Sequence, residues 1–359
     1  MATYLFYDTI RLNPDAGGVL NVSQTLLSSM RESLTDRVEA VSEKYPRLYR
    51  SAERLKLSRF VVDTLVYNYH RLRRSTGGAQ LQSIFPNYFL PLTPFGRHRD
   101  SIVVVHDLQY KVLPQNFSRG KRLWLNWSLR RVAGSLADVV FISGSSRKDF
   151  ERHFAGCRRS VVIFNPVDAA ALRGATDERP QQARYLIASY HYYPHKNFDG
   201  ILTLFARMRS AGLVDWLDIT GNGAADVAHR VDAVAPELRA CIRHRGLVPR
   251  EELVRLYRGA TAFVSLSKSE GFNLSAAEAA TLQVPLLLSD IPVHRELFEN
   301  YGLLIGDESC PMECVARYLA SHEKRRPVWP LAEACRPSVV AARYLQLGHR
   351  MGAMPEASR

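Results

Sequence analysis

AFVSLSKSEGFNLSAAEAATLQVP, residues 262–285, is the stretch whose reading decides the fold. Residues 262–266 form a short apolar run with the alternation of a strand. The pattern breaks at Glu270-Gly271, and the Ala-rich spacing from Leu274 to Leu282 predicts a buried helix. A strand, a glycine-containing turn and a helix start together make an anion site. Free backbone N–H groups point outward there and the helix dipole adds positive potential. Glu270 stands before the turn and Glu278 one turn into the helix. Carboxylates repel phosphate, so their expected partners are sugar hydroxyls on either side of one. Two plainer readings stay open. Ser275-Ala276-Ala277-Glu278 also fits a capping box, with Ser275 as cap and Glu278 reaching back to the cap's own N–H. Glu270 by itself also fits a surface turn.

The same strand-to-helix alternation extends in both directions. Downstream, LLLSD (286–290) predicts a strand, followed by a helix from about residue 294. Upstream, 184–189 reads as a strand, 198–209 as a helix, 216–223 as a strand and turn, and 250–258 as a helix after 242–248. In the first half, 4–7 predicts a strand, Gly17-Gly18 a turn, 19–30 a helix, 139–142 a strand and 145–154 a helix. DSIVVVHDLQY (100–110) is a buried strand ending abruptly in His106-Asp107, and titratable groups at such strand ends are where open α/β sheets place ligand contacts. IFPNYFLPLTPFG (84–96), rich in Pro and aromatics, reads as an ordered loop, and 47–75 as a long helical region. The loose stretch 169–183 reads as a hinge. The predicted fold class is α/β, with two doubly wound Rossmann-like domains, 1–166 and 167–337, facing a central cleft.

Composition narrows the class. The 359 residues carry 46% hydrophobic and 23% charged side chains, which supplies core for two domains and argues against disorder. No run of about 18 apolar residues is present, so no membrane span is expected. The N-terminal MATYLFYDT has neither the basic segment nor the apolar core of a secretory signal. Five cysteines, without companion ligands at metal spacing, fit a reducing cytoplasm and no metal site. The net charge of +13 is unevenly spread: residues 1–166 carry 25 Lys and Arg against 13 Asp and Glu, the remainder 23 against 22. A first half so basic is expected to face something anionic.

SEGFNLSAAEA followed by VPLLLSD resembles the Glu-seven residues-Glu signature of retaining glycosyltransferases of family 4, which have the GT-B fold. NYFLPL, VVVHDLQYKVLPQNFS, ADVVFISGSSRKDFERHF and VVIFNPVD resemble that family's first domain in order and spacing. The resemblance covers nearly the whole chain. It implies an acceptor in the first domain, a nucleotide-sugar donor in the second, and a last helix, about 338–359, that crosses back onto the first domain. It gives Glu270 to the donor sugar, Glu278 to the nucleotide ribose, and His106 to the sugar near its reacting carbon, with Asp107 a structural neighbour. The PHKN string resembles the family's phosphate-binding loop, which makes Lys196 the diphosphate cation. The amides of Phe272, Asn273, Leu274 and Ser275, after Gly271, join it in stabilising the leaving group. Gly17 and Gly18 shape the acceptor side, and the 242–248 loop, with Arg245 and Val248, borders the base. The family commonly has Gly and Pro where this chain has Asn273 and Ser275. Asn tolerates the left-handed conformation and Ser caps helices, so neither departure disables the site. The Arg that the family often places a few residues before its Lys is absent here, and Ser189, Tyr190 or His191 occupies the place. Of these only His191 carries a charge, and only at low pH.

The implied activity is therefore a metal-independent, retaining transfer of a hexose, with no cofactor beyond the nucleotide-diphosphate sugar itself. Similarity of the NYFLPL–HDLQY region to bacterial mannosyl- and rhamnosyltransferases of surface polysaccharide makes a GDP-sugar the preferred donor and a lipid-linked saccharide the acceptor. FSRGKRLWLNWSLRRV (117–132) interleaves Trp124 and Trp127 with five cations, the composition of an interfacial helix. With the Arg-rich 47–75 region, it predicts a peripheral protein on the inner face of the cell membrane. No nucleic-acid motif accompanies the charge, so no nucleic-acid partner is expected. Two alternatives remain. A nucleotide-sugar epimerase or a phosphorylase shares the architecture. A catalytically silent binder of a sugar nucleotide or an anionic polymer would tolerate the missing Arg.

Overall fold

The computed structural model describes residues 3–8, 17–33, 37–55, 58–74, 81–94, 98–168, 184–190, 193–306 and 310–352. The chain divides into two compact units, Met1–Pro166 with Ala334–Arg359, and Val167–Glu333. The proposed hinge 169–183 lies outside the described residues, as do 353–359 at the C-terminal end.

The first unit is built on a six-stranded parallel sheet. Its strands are β1 (Thr3–Phe6), β2 (Arg37–Ala40), β3 (Leu81–Phe85), β4 (Ser101–Val105), β5 (Asp138–Phe141) and β6 (Ser160–Val162). They lie in the order β2-β1-β3-β4-β5-β6. β4 is buried along its full length, which explains its unbroken Ile-Val-Val-Val run: a parallel strand covered on both faces has no polar side. β3 is absent from the sequence reading: its last two residues, Ile84 and Phe85, fall in the stretch 84–96 that reads as a loop, and 81–83 lie just before it. Gln82 and Ser83 break its apolar run, yet both are buried. Gln82 donates from Nε2 to the carbonyl of Gly348 at 3.2 Å, so its polarity belongs to a tertiary contact. That contact fixes the last helix, Pro337–Gly352, to the first unit, together with a hydrogen bond from the Tyr4 hydroxyl to Leu345 O at 3.4 Å. A Cβ on Gly348 would stand 2.6 Å from the Tyr4 hydroxyl oxygen, so only glycine lets this helix approach β1 so closely.

Two expectations for this unit change. Gly17 and Gly18 open the helix Gly17–Glu32 and do not form a turn ahead of it. Region 47–75 is two helices, Pro46–Arg54 and Arg59–Arg74. Their buried residues are Tyr49, Ala52, Val62, Val66 and Tyr67. Leu48, Leu55, Leu65, Tyr69 and Leu72, which share the helical spacing, are exposed. In the second helix Val62, Val66 and Tyr67 form the buried face, and Leu65, Tyr69 and Leu72 lie on another face of the same helix.

The second unit holds a second six-stranded parallel sheet. Its strands are β7 (Tyr185–Ser189), β8 (Trp216–Thr220), β9 (Ile242–Gly246), β10 (Ala262–Ser265), β11 (Leu286–Ser289) and β12 (Leu303–Ile305). The order is β12-β11-β10-β7-β8-β9. From β7 the chain builds outward through β8 and β9, then returns to the other side of β7 with β10. The switch between β7 and β10 opens a crevice at their carboxyl ends, where doubly wound sheets bind ligands. Two doubly wound parallel-sheet units are what the alternation of elements predicts.

Candidate functional site

The residues singled out in the second unit gather at that switch. After β7 the chain makes a single helical turn, Pro194–Lys196, and Asn197 takes the left-handed conformation (φ 51°) to start the helix Phe198–Ser210. The buried His195 accepts the Lys268 N–H on its carbonyl at 2.7 Å, which ties the loop after β7 to the loop after β10. Across this tie Lys196 Nζ donates to Glu270 Oε1 at 2.6 Å. Burial pushes the Glu270 carboxyl upward, but the Lys196 charge and hydrogen bond, helped by Ser267, outweigh it and hold the carboxyl below its usual range. Glu270 is therefore ionised at neutral pH, half of a buried pair.

Asn273 supplies the turn. Its φ of 64° is left-handed, as the Asn in place of Gly allows, and its Oδ1 caps the helix Leu274–Thr281 by accepting from Ala276 N–H at 3.2 Å. Its Nδ2 donates to Ser265 Oγ at 3.0 Å and to His294 Nε2 at 2.9 Å. Nε2 of His294 is thus an acceptor and its Nδ1 carries the proton, donated to Ser289 O at 2.8 Å. Burial pushes the His294 pKa down, which fits the neutral ring this geometry requires. The N–H groups of Leu274 and Ser275 have no acceptor among the described residues and remain as donors at the helix start. Phe272 is buried beside them.

The capping-box reading of Glu278 is overturned. Asn273 is the cap, Ser275 lies inside the first turn, and the Glu278 carboxylate accepts from Arg250 Nη1 at 2.7 Å. Glu278 is 7% exposed, and burial raises its pKa against the pull of Arg250. The Tyr257 hydroxyl lies 3.4 Å from Ser189 Oγ at the end of β7, beside this pair. Sequence reasoning did not find Arg250. One signal was available: a cation in the first turn of a helix opposes the dipole and asks for a carboxylate.

Arg245, at the end of β9, grips Asp218 with two nitrogens at 3.0 and 3.2 Å. Asp218 is buried in β8, so this guanidinium is engaged in holding the β8–β9 edge. Val248 is half-buried in the loop that follows. His191 lies outside the described residues. In the first unit His106 follows β4, buried, and its Nε2 stands 2.7 Å from Pro86 O. A carbonyl only accepts, so Nε2 carries the proton. Burial lowers the His106 pKa, and a neutral ring with Nδ1 as acceptor results. Asp107 accepts the Gln109 N–H at 3.1 Å and shapes the backbone turn after the strand. Among the described residues no three His, Cys, Asp or Glu side chains converge on a metal position.

Residues 175–326, which contain the Lys196, Glu270 and Glu278 cluster but not His106, match the family described as glycosyl transferases group 1. The chain is 25% identical over 214 residues to the O-antigen chain mannosyltransferase RfbU of Salmonella typhimurium, covering 58% of each chain. It is 26% identical over 238 residues to O-antigen chain mannosyltransferase B of Escherichia coli, covering 61% of this chain and 59% of that one. Each match thus covers less than two thirds of the curated relative. Among solved structures, a sucrose-phosphate synthase from Thermosynechococcus elongatus is similar in fold, with a TM-score of 0.69 at 15% identity, over 98% of this chain and 99% of that one. Two parallel-sheet α/β units match the fold of GT-B glycosyltransferases.

Proposed function

We propose that the protein is a retaining glycosyltransferase that moves a hexose of the mannose or rhamnose type from a nucleotide-diphosphate sugar, preferably a GDP-sugar, to a lipid-linked or polysaccharide acceptor. The observation that carries this reading is the Lys196–Glu270 pair at the β7/β10 switch, with Glu278 eight residues further on. Lys196 and the Leu274 and Ser275 amides offer positive charge and donors to a departing diphosphate. Ionised Glu270, and Glu278 on its Arg250 partner, offer acceptors to sugar and ribose hydroxyls on either side. The leaving β-phosphate then takes the acceptor proton on the same face, which retains the anomeric configuration. His106 is assigned to the donor sugar from the family resemblance. The two named O-antigen mannosyltransferases support the mannose-type donor and the surface-glycan setting.

The test is a thermal-shift panel of GDP-, UDP- and dTDP-sugars on wild type and Glu278→Gln. A bound donor at about 100 times its Kd adds roughly 2.7 kcal/mol of stability. One nucleotide class should raise the melting temperature of wild type, and Glu278→Gln should need more of it for the same shift. No shift with any nucleotide sugar would sink the reading.

We further propose that the first unit adsorbs on anionic membranes. No helix among the described residues is long and apolar enough to cross a membrane. Trp124 and Trp127 stack 4.9 Å apart on the helix Arg119–Gly134, and Phe60 packs edge-on to both at 5.1 and 6.0 Å. Both tryptophans are more than a third exposed, neighbouring Leu123 is 70% exposed, and Arg131 lies over the Trp127 ring. Amphipathic rings beside cations suit the headgroup layer. Vesicle co-sedimentation should give salt-sensitive binding that needs anionic lipid and falls at least about fivefold in Trp124→Ala/Trp127→Ala. Unchanged binding of the variant would remove this surface from the interaction.

A further inference from the structure

A cavity of about 360 Å³ opens in the first unit where the turn after β4 meets the start of the helix Arg119–Gly134. Three cations line it, Lys111, Arg119 and Arg122, and no carboxylate does. Among the described residues the guanidinium groups of Arg119 and Arg122 have no ion-pair or hydrogen-bond partner. Lys111 is held by rings and not by an acid: its Nζ lies 5.5 Å over Tyr110 and 5.7 Å over Phe154. The wall is rigid, because the Tyr110 hydroxyl donates to Asn126 Oδ1 at 3.0 Å and Tyr110 itself is buried. The rest of the lining, Pro114 and Leu123, is apolar, and Leu123 leads out to the exposed Trp124.

Three unneutralised cations around one cavity repel each other by an amount that falls when an anion sits between them. Ordinary surface cations relieve this by spreading into solvent or pairing with carboxylates. Here the fixed wall and the ring-held Lys111 keep at least one charge at the cavity, and the two arginines offer planar forks that match phosphate oxygens. An apolar exit beside the phosphate position suits a hydrocarbon attached to it. The geometry points to a subsite for the diphosphate of a lipid-linked acceptor, with the chain leaving past Leu123. This rests on the glycosyltransferase reading and adds where the acceptor's anionic end is held.

The experiment is calorimetric titration of the full chain with geranyl diphosphate and with GDP, on wild type, Lys196→Ala and Arg119→Gln/Arg122→Gln. Wild type and Lys196→Ala should bind geranyl diphosphate alike, which separates this cavity from the Lys196 site. The double variant should bind it at least about tenfold more weakly, the loss expected from two charge-assisted contacts, while binding GDP as wild type does. GDP binding that fails in all three proteins counts against the donor site and leaves the geranyl diphosphate result to decide the cavity. Geranyl diphosphate binding that is absent in wild type, or equal in wild type and the double variant, overturns the proposal. If the double variant instead loses only binding to phosphatidylcholine vesicles containing phosphatidylglycerol, the cations serve a lipid headgroup and the acceptor subsite is refuted.

Discussion

Lys196→Ala is expected to lower turnover about a hundredfold or more, the scale of removing one donor aimed at charge that develops in the transition state. The same change leaves Glu270, 8% exposed in its side chain, without its cation. Wild-type Glu270 has a carboxyl pKa below the usual value, so its ionised form stabilises the fold at pH above the unfolded-state value of about 4.5. That contribution is lost as pH falls through the lower folded-state pKa. The stability gap between wild type and Lys196→Ala should accordingly be widest at neutral pH and close on acidification. Adding Glu270→Gln to the variant should restore much of the melting temperature, because no buried charge is then left unpaired, yet turnover should stay low. Measuring rate and melting temperature on the same set separates the two roles of Lys196. Turnover within a few-fold of wild type would end its assignment as the diphosphate cation.

Arg250→Ala should cost about 2 kcal/mol at pH 8, less than the usual penalty for breaking a buried pair because Arg250 itself is partly exposed. Here the sign runs the other way. Glu278 has a raised pKa from burial, with Arg250 opposing the rise. A raised folded-state pKa means that stability is present below the unfolded value and is lost as pH climbs through the folded one. Without Arg250 the carboxyl moves higher still, so the variant should weaken progressively between pH 5 and pH 8, whereas wild type should change less. Urea unfolding at the two pH values reads this directly. Arg250→Ala/Glu278→Gln should flatten the dependence, and a double-mutant cycle gives the coupling. A pH-independent deficit would mean that Arg250 acts through packing. Donor affinity should fall about tenfold in Arg250→Ala, since a protonated Glu278 is a poorer acceptor for ribose hydroxyls.

Glu270 and Glu278 show how far a motif can be read. Their spacing and the strand before them locate a ligand site without coordinates, because strand alternation, the turn and the helical repeat are all local properties of neighbouring residues. What each carboxylate touches is not local. Lys196 is 74 residues from Glu270, and Arg250 is 28 residues from Glu278. Ser275-Ala276-Ala277-Glu278 satisfies the capping pattern in sequence, but the left-handed Asn273 starts the helix earlier and takes the cap itself.

β3 and the last helix mark the same boundary in the fold. The alternation of apolar runs determined two parallel-sheet units, because each strand or helix needs its own buried face and that periodicity is written residue by residue. Gln82 and Ser83 hid a central strand, since a polar side chain signals exposure unless its partner is known, and the partner of Gln82 is Gly348 at the far end of the chain. The tertiary structure alone decided such pairings: Gln82 with Gly348, Arg250 with Glu278, and Lys196 with Glu270. Each depends on distances between residues remote in sequence, and those distances exist only once the sheets have formed.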